Sequence, residues 1–530
     1  MTLAFWGAVG LFTLAFFVTP YLPLIDYHQH VALAAILQRY WAGGAWERQL
    51  FDVNLITYNG GFHVIVAALS YLMKAESAGR LVMASYPALL GIAALCIVRE
   101  AERPRWYALL ALPITYSHAM AWGFANWNLT FPVALIAFTW WLRYARGDKA
   151  MLPRLLFASM FCAYGHVLGM LSLCVAIGIA QLSRVRELGD SWGTRITRLL
   201  ATPLPVAPGV LWCVFVYRYQ TRQSFSNWEE AYLNGTDDPV WQKLWGVLTY
   251  GVGNIYDLSD NILLGLAIAL AIYLCWAGPP EPMSTDESIN LDLRAIRWLA
   301  VSFFAIYLVI PKIFMATWFI YERFPTLAML FFVGALPMRL IPNRDELRSI
   351  AASFAVAAGA NTARVWATMG EAREASDIID DMPPNRKLVA VTYNPTTARI
   401  SREVFVHLHA VYQSRKQGEV AYTFTKFESM PVHYKRGLAP PSGPGGHEWF
   451  AHYYDVHAAW ARAYDMTLIH APDDEDPRNL VFKDEAWRIK LMARRGRFWL
   501  YDTSELAKPV GVTVPSKAPK TPTDRDDQEP

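Results

Sequence analysis

The stretch "LPLIDYHQHVALAAIL" (residues 22–37) sets one acid and two histidines into an otherwise apolar run. Asp26 stands directly behind a hydrophobic segment, at the depth where a membrane meets water. Burial raises the proton affinity of a carboxylate and a nearby cation lowers it. Either setting suits a base that takes a proton from the hydroxyl of a substrate. The same position also suits a helix N-cap, with Asp26 or His28 opening a helix near Gln29. The two roles are compatible, because a cap fixes the backbone from which a neighbouring side chain acts. His28 and His30, two residues apart, point in different directions on a helix. That spacing argues against a two-histidine metal clamp and for single polar contacts to a phosphate or to Asp26. Asp52, in "QLFDVN", is a second carboxylate of the same loop, with a solvated loop position as its alternative reading.

A second group of residues lies late in the chain, in "WFIYERFP" (318–325). Arg323 sits where an external loop enters a span, and a charge there is costly unless it snorkels or meets an anion. A guanidinium also matches phosphate geometry through two parallel hydrogen bonds. The competing reading is interfacial anchoring, with Trp318 and Tyr321 as belt residues. His166, in "YGHVLG", falls at the outward break of an uncharged hairpin, at the same depth as Asp26 and Arg323. A histidine in such a place more often bonds a neighbouring helix than performs chemistry. His63 and His118 read as packing or surface residues. The histidines between 407 and 457, including "HLH" (407–409), read as surface residues because no cysteines stand at zinc spacing. Glu229, Glu230, Asp237, Asp238, Asp257 and Asp260 add external acids, none with a distinguishing spacing. No P-loop, GxGxxG or GxSxG occurs in a strand–turn–helix setting, so no soluble nucleotide-sugar site is visible.

These residues need elements to hold them. The chain has 530 residues, 54% hydrophobic and only 18% charged, which indicates a polytopic membrane protein. A net charge of +3 gives no case for a nucleic-acid partner. The five cysteines fall in hydrophobic stretches and read as packing residues. Residues 3–20 lack a basic leader and a small-residue cleavage site, so they are expected to form the first transmembrane helix. Three basic clusters, 99–105, 143–154 and 183–198, are assigned to the cytoplasm. Residues 106–142 must then cross twice, turning outside at 123–128, and 155–182 forms a tight hairpin or tilted pair broken at 164–169. Of the apolar runs 57–73 and 81–98, only the second can cross without moving the first cluster outside. The first external loop therefore runs from about residue 21 to 80 and carries interfacial helices near 29–42 and 60–73. Later spans are expected near 199–217, 260–277, 295–311, 324–341 and 347–366, with 219–259 as an external loop. The total is about eleven crossings, which puts the C-terminal part outside.

After residue 372, the candidate strands 387–393, 419–424, 466–471 and 498–503 alternate with helical stretches, the pattern of a small α/β domain. The expected division is 1–370 as a transmembrane catalytic domain, 371–506 as an extracytoplasmic α/β domain and 507–530 as a disordered tail.

A first span, "DYHQH" opening a long external loop, basic cytoplasmic turns and a late "W-x-x-x-x-R-F" together resemble the GT-C superfamily of integral-membrane glycosyltransferases. The resemblance is strongest to bacterial members that use polyprenyl-phosphate sugars and whose first loop reads Asp-Tyr-x-x-His. It covers roughly residues 1–370, plus the general plan of an external C-terminal domain. It implies a multi-pass α-helical protein of the plasma or inner membrane, serving the cell envelope. It further implies a lipid-phosphate-linked sugar donor and an extracytoplasmic acceptor that is a glycan, a lipid or a protein. The family's catalytic base maps onto Asp26, and its phosphate contacts map onto Arg323 and His166. One departure concerns the second external loop, where many relatives carry an acid and this chain has Asn126 and Asn128. One carboxylate and two amides hold a divalent cation poorly, so no cofactor is expected and a metal-free mechanism is favoured. Two other readings compete. A lipid-linked glycan ligase or polymerase would share an outer-surface site, with its largest loop late in the chain. A polytopic transporter or flippase would need ionisable residues near mid-membrane, where these spans have almost none.

Overall fold

In the computed structural model the described residues are 2–507, apart from 190, 222–237, 278, 280–285, 315–316, 340–342 and 428. Glu229, Glu230, Asp237 and the tail after 507 therefore lie outside the described residues.

The hydrophobic segments form packed helices. Thr2–Ala15 runs along Arg344–Ala367, close enough that a Cβ on Gly359 would stand 2.9 Å from the Ala8 carbonyl oxygen. Glu287–Val309 pairs with Phe324–Ala335, and Ala125–Ala145 packs against both arms of the hairpin Leu152–Gly165 and Val167–Ser183. That hairpin breaks at His166, inside the expected 164–169.

The three basic clusters meet at one end of this bundle. Buried Glu100 accepts from Arg143 Nε at 2.7 Å and from Arg146 Nη2 at 2.6 Å. Buried Asp292 accepts from Arg146 at 2.7 Å and from Arg184 at 3.0 Å. A buried pair left without one partner costs about 3–5 kcal/mol, so this network holds the helix ends in register. His166 is separated from Arg184 by the 17-residue helix Val167–Ser183, about 26 Å of rise, and so sits at the opposite end.

Among the described residues, three helices are long and apolar enough to cross a membrane: Ala75–Glu100, Trp192–Gln220 and Ser259–Trp276. Thr2–Ala15 and Val167–Ser183 are apolar but shorter. The expected crossing over 106–122 takes a different form. Arg105–Tyr116 is 3-10 helix, interrupted by Pro113, which has no N–H to donate to a regular α-helix. The expected loop 219–259 contains a helix at Val240–Gly251.

Helices stand at both places expected in the first loop, Tyr27–Trp41 and Gly61–Leu69, the first with residues 27–37 all buried within the protein. Between them, Phe51–Val53 pairs antiparallel with Val432–Tyr434, a tie between the first loop and the C-terminal third that periodicity does not reveal. The C-terminal third also builds a five-stranded mixed sheet. Its order is Glu419–Val420, Lys387–Thr392, Met466–His470, Phe498–Asp502, Lys490–Arg495, the first two pairings parallel and the last two antiparallel. The strand expected over 419–424 is only two residues long, and Lys490–Arg495 is an additional strand.

Candidate functional site

Asp26 occupies the N-cap position of helix Tyr27–Trp41, but its carboxylate makes no capping bond. The backbone is held instead from the other side: Asp26 N–H donates to the Trp122 carbonyl at 2.8 Å and Ile25 N–H to the Ala121 carbonyl at 3.1 Å. This approach depends on Gly123, which has φ +73°; a Cβ there would stand 2.6 Å from the Tyr27 nitrogen. The carboxylate is left to make other contacts. His407 Nε2 lies 3.3 Å from Asp26 Oδ1, and the acid's side chain is 15% exposed where the imidazole is only 2% exposed.

Arg323 closes the short 3-10 turn Tyr321–Arg323 that leads into helix Phe324–Ala335. It is buried, its guanidinium lies 4.0 Å from the centroid of the Phe124 ring, and Nη1 is 3.2 Å from His166 Nε2. A cation over a desolvated aromatic face gains about 2 kcal/mol. Burial pulls the Arg323 pKa down to about 10, opposed by the negative charges of Asp26 and Glu322, so the group stays cationic near neutrality. His166 caps helix Val167–Ser183, accepting the Leu168 N–H at its Nδ1. Burial, and then the charge of Arg323, hold His166 well below the usual imidazole range. A neutral ring has one acceptor nitrogen. With the cap in place, the ring proton sits on Nε2 and faces the guanidinium. Two donors side by side on one edge favour an anion placed next to both.

His30 reaches the same region from the first loop. Its Nδ1 is 3.0 Å from His63 Nε2, and His63 Nδ1 donates to the Asn59 carbonyl at 3.0 Å. The chain of donors fixes both tautomers and leaves His30 Nε2 as an acceptor. Burial holds His30 well below the usual imidazole range, with His63, His166, His407 and Arg323 adding in the same direction. His63, read from sequence as packing or surface, is a buried partner of this cluster.

The remaining sequence candidates lie elsewhere. His28 is stacked on Tyr21 at 4.0 Å, donates to the Leu22 carbonyl at 2.9 Å and is pushed by burial down to about 3. Asp52 is exposed on the strand Phe51–Val53, paired in register with His433. Tyr321 is buried; its hydroxyl donates to Asp238, and Lys243 lies over its ring at 4.6 Å. Asn126 clasps the start of Gly61–Leu69: its Oδ1 accepts Phe62 N–H at 2.7 Å and its Nδ2 donates to the Asn59 carbonyl at 3.0 Å.

Three C-terminal histidines correct the surface reading, while His452 and His457 are exposed as expected. His407, His409 and His447 are all buried. His407 stacks parallel to Tyr422 at 5.4 Å, and Gln29 of the first-loop helix reaches His409 at 3.1 Å and accepts the Phe424 N–H at 3.2 Å. The available signal was local: "VFVHLHAVY" (404–412) places the two histidines inside an apolar run, where a buried helix is the natural reading. Nothing local identifies Asp26 as the partner of His407. Among the described residues, no three His, Cys, Asp or Glu side chains are grouped to hold a metal ion.

No protein-family model matches the chain, and no curated protein matches it. Among solved structures it is similar to the crystal structure of ArnT from Cupriavidus metallidurans bound to undecaprenyl phosphate. The two are 12% identical, with a TM-score of 0.52, over 96% of this chain and 99% of that one. The apo state of the same protein gives 13% identity and a TM-score of 0.47, over 94% of this chain and 97% of that one. At such identity the likeness is one of fold, and the fold of this chain is GT-C-like.

Proposed function

We propose that this chain is a membrane glycosyltransferase that moves a sugar from a polyprenyl-phosphate donor to an acceptor on the extracytoplasmic side, with Asp26 as general base. The observation that carries the reading is Asp26 held 3.3 Å from His407 and near enough to the buried Arg323–His166 pair for its charge to act on the guanidinium. They lie at the end of the bundle opposite the basic clusters. The GT-C-like fold supports the reading, as does the lipid phosphate in the solved ArnT structure.

The acceptor hydroxyl attacks the anomeric carbon as the bond from that carbon to the phosphate oxygen breaks, through an oxocarbenium-like state. The hydroxyl proton passes to the Asp26 carboxylate, and the lipid phosphate leaves with the bonding pair. Charge grows on the phosphate during this step. A guanidinium already fixed by Phe124 stabilises it without reorganising. His407 orients the carboxylate that receives the proton. The reaction is written with no metal.

The test uses membrane vesicles holding the full chain, supplied with radiolabelled polyprenyl-phosphate pentoses and hexoses and a total envelope extract as acceptor. Transfer of label from at least one donor, unchanged by EDTA, is expected. Label that crosses the bilayer still attached to its lipid indicates a flippase instead, and transfer only of preassembled oligosaccharide indicates a ligase or polymerase.

A further inference from the structure

Beside Asp26, the C-terminal third presents a wall of unsatisfied polar atoms. His407 Nδ1, His447 Nε2, Glu448 Oε2 and Trp122 Nε1 are buried and, among the described residues, have no hydrogen-bond partner. Each belongs to a side chain at least nine-tenths buried. They occupy one neighbourhood. His407 faces Asp26 at 3.3 Å and stacks on Tyr422 at 5.4 Å; Tyr422 lies 6.2 Å from His447 by ring centroids. Trp449 is 6.0 Å from His407 and 5.6 Å from Trp122. An unmade hydrogen bond on a buried group costs about 1–3 kcal/mol, so four in one place point to a ligand that makes them.

The chemistry of the wall narrows that ligand. His447 Nδ1 donates to the Pro444 carbonyl at 3.0 Å, so in the neutral ring Nε2 is a bare acceptor. Burial lowers the pKa of this histidine, against the opposing charge of Glu448, whose Oε2 lies 3.5 Å from its Nδ1. Glu448 Oε2 is an acceptor, and so is His407 Nδ1 when Nε2 carries the proton facing Asp26. Among these four atoms Trp122 Nε1 is the donor, and the ammonium of Lys426 stands behind them, 5.4 Å from the centre of the Tyr422 ring. Three acceptors, one donor and the aromatic faces of Tyr422 and Trp449 match an uncharged ring rich in hydroxyl groups. The charge of Glu448 is offset by Lys426, and three acceptors leave a phosphate, itself an acceptor, with few hydrogen bonds to make. The cationic half of the site, at Arg323 and His166, has the opposite character.

We propose that Trp122, His407, Tyr422, His447, Glu448 and Trp449 form a subsite for the hydroxylated ring of a sugar, built largely by the C-terminal third and placed beside the carboxylate. The proposal rests on the reading of Asp26 as the reacting group. It assigns the phosphate and the ring to opposite sides of that residue.

The test compares full-length wild type, Glu448→Gln and Trp449→Ala in nanodiscs. Native mass spectrometry measures binding of undecaprenyl phosphate and of undecaprenyl-phosphate hexoses and pentoses. Saturation-transfer NMR measures binding of a panel of methyl glycosides. Both variants are expected to bind undecaprenyl phosphate as wild type does, which also reports that they are folded. If the subsite takes the donor's ring, they bind the glycosylated lipid at least about tenfold more weakly. If it takes the acceptor's ring, lipid binding is unchanged and the glycoside signal is lost. Should one variant fail to fold, the other decides. Equal behaviour of wild type and variants in both the glycolipid and the glycoside arms overturns the subsite. Failure of wild type to bind undecaprenyl phosphate counts against the donor reading instead.

Discussion

Arg323 is a cation sealed against the Phe124 ring and facing a histidine whose pKa is lowered, and in the proposed function its planar fork meets the donor's phosphate. Replacing it with lysine keeps the charge but removes the paired geometry. Arg323→Lys is expected to weaken undecaprenyl-phosphate binding about tenfold, and Arg323→Gln by more, measured in nanodiscs. Lysine binding as tightly as arginine would remove phosphate from the account of this residue. The buried histidines make a separate prediction. His28 and His63 are both pushed by burial to about 3, whereas in an unfolded chain they titrate near 6.5. Between those values the unfolded chain binds more protons than the folded one, so stability falls as pH falls. Each contributes a loss of about 2 kcal/mol by pH 5, read as a falling unfolding midpoint between pH 7 and pH 5. The midpoint of His63→Gln should fall less steeply, and an equal slope would contradict the assignment. Asp26, His166 and Arg323 were legible in sequence because each interrupts an apolar run at a span end. His407 was not, because its meaning depends on a tertiary contact with the opposite end of the chain.

At the scale of elements, the site is made by backbones that approach closely. The turn carrying Trp122 and Gly123 lies against the start of the Tyr27–Trp41 helix, and the Ala121 and Trp122 carbonyls accept the N–H groups of Ile25 and Asp26 just before it. Gly123→Ala would need a left-handed backbone and place a Cβ 2.6 Å from the Tyr27 nitrogen. It is expected to cost more than about 1 kcal/mol and to displace Asp26. Sugar transfer should fall much further than the unfolding midpoint, and full activity in Gly123→Ala would show that this approach does not position the acid. The interfacial helices and the break at His166 could be read from apolar runs bounded by polar residues. The 3-10 form of Arg105–Tyr116 could not, since its apolar residues suit any buried element and Pro113 alone hints at irregularity.

The whole molecule joins two regions of different character through their polar contacts. The first-loop helices meet the C-terminal third through Gln29, through the pairing of Phe51–Val53 with Val432–Tyr434, and through Arg415. That arginine contacts Glu76 at 2.6 Å and Asp380 at 3.0 Å. The C-terminal third thus lies at the Asp26 end, opposite the Glu100–Asp292 network. A cysteine introduced at exposed Glu475 is expected to react with a membrane-impermeant maleimide in intact cells, and one at exposed Thr197 only after lysis. The reverse pattern would invert the orientation. The alternation of strands and helices after residue 372 was visible in sequence, but its docking was not. Strand pairings between residues so far apart leave no periodic trace.

In the proposed mechanism the Asp26 carboxylate takes the acceptor's proton, and Asp26→Asn keeps its shape and loses the base. Wild type and variant in nanodiscs are compared for undecaprenyl-phosphate binding and for transfer of labelled sugar from the donor that wild type uses. Unchanged lipid binding is expected, with transfer reduced by about 10²–10⁴. Transfer by Asp26→Asn at the wild-type rate would contradict the mechanism.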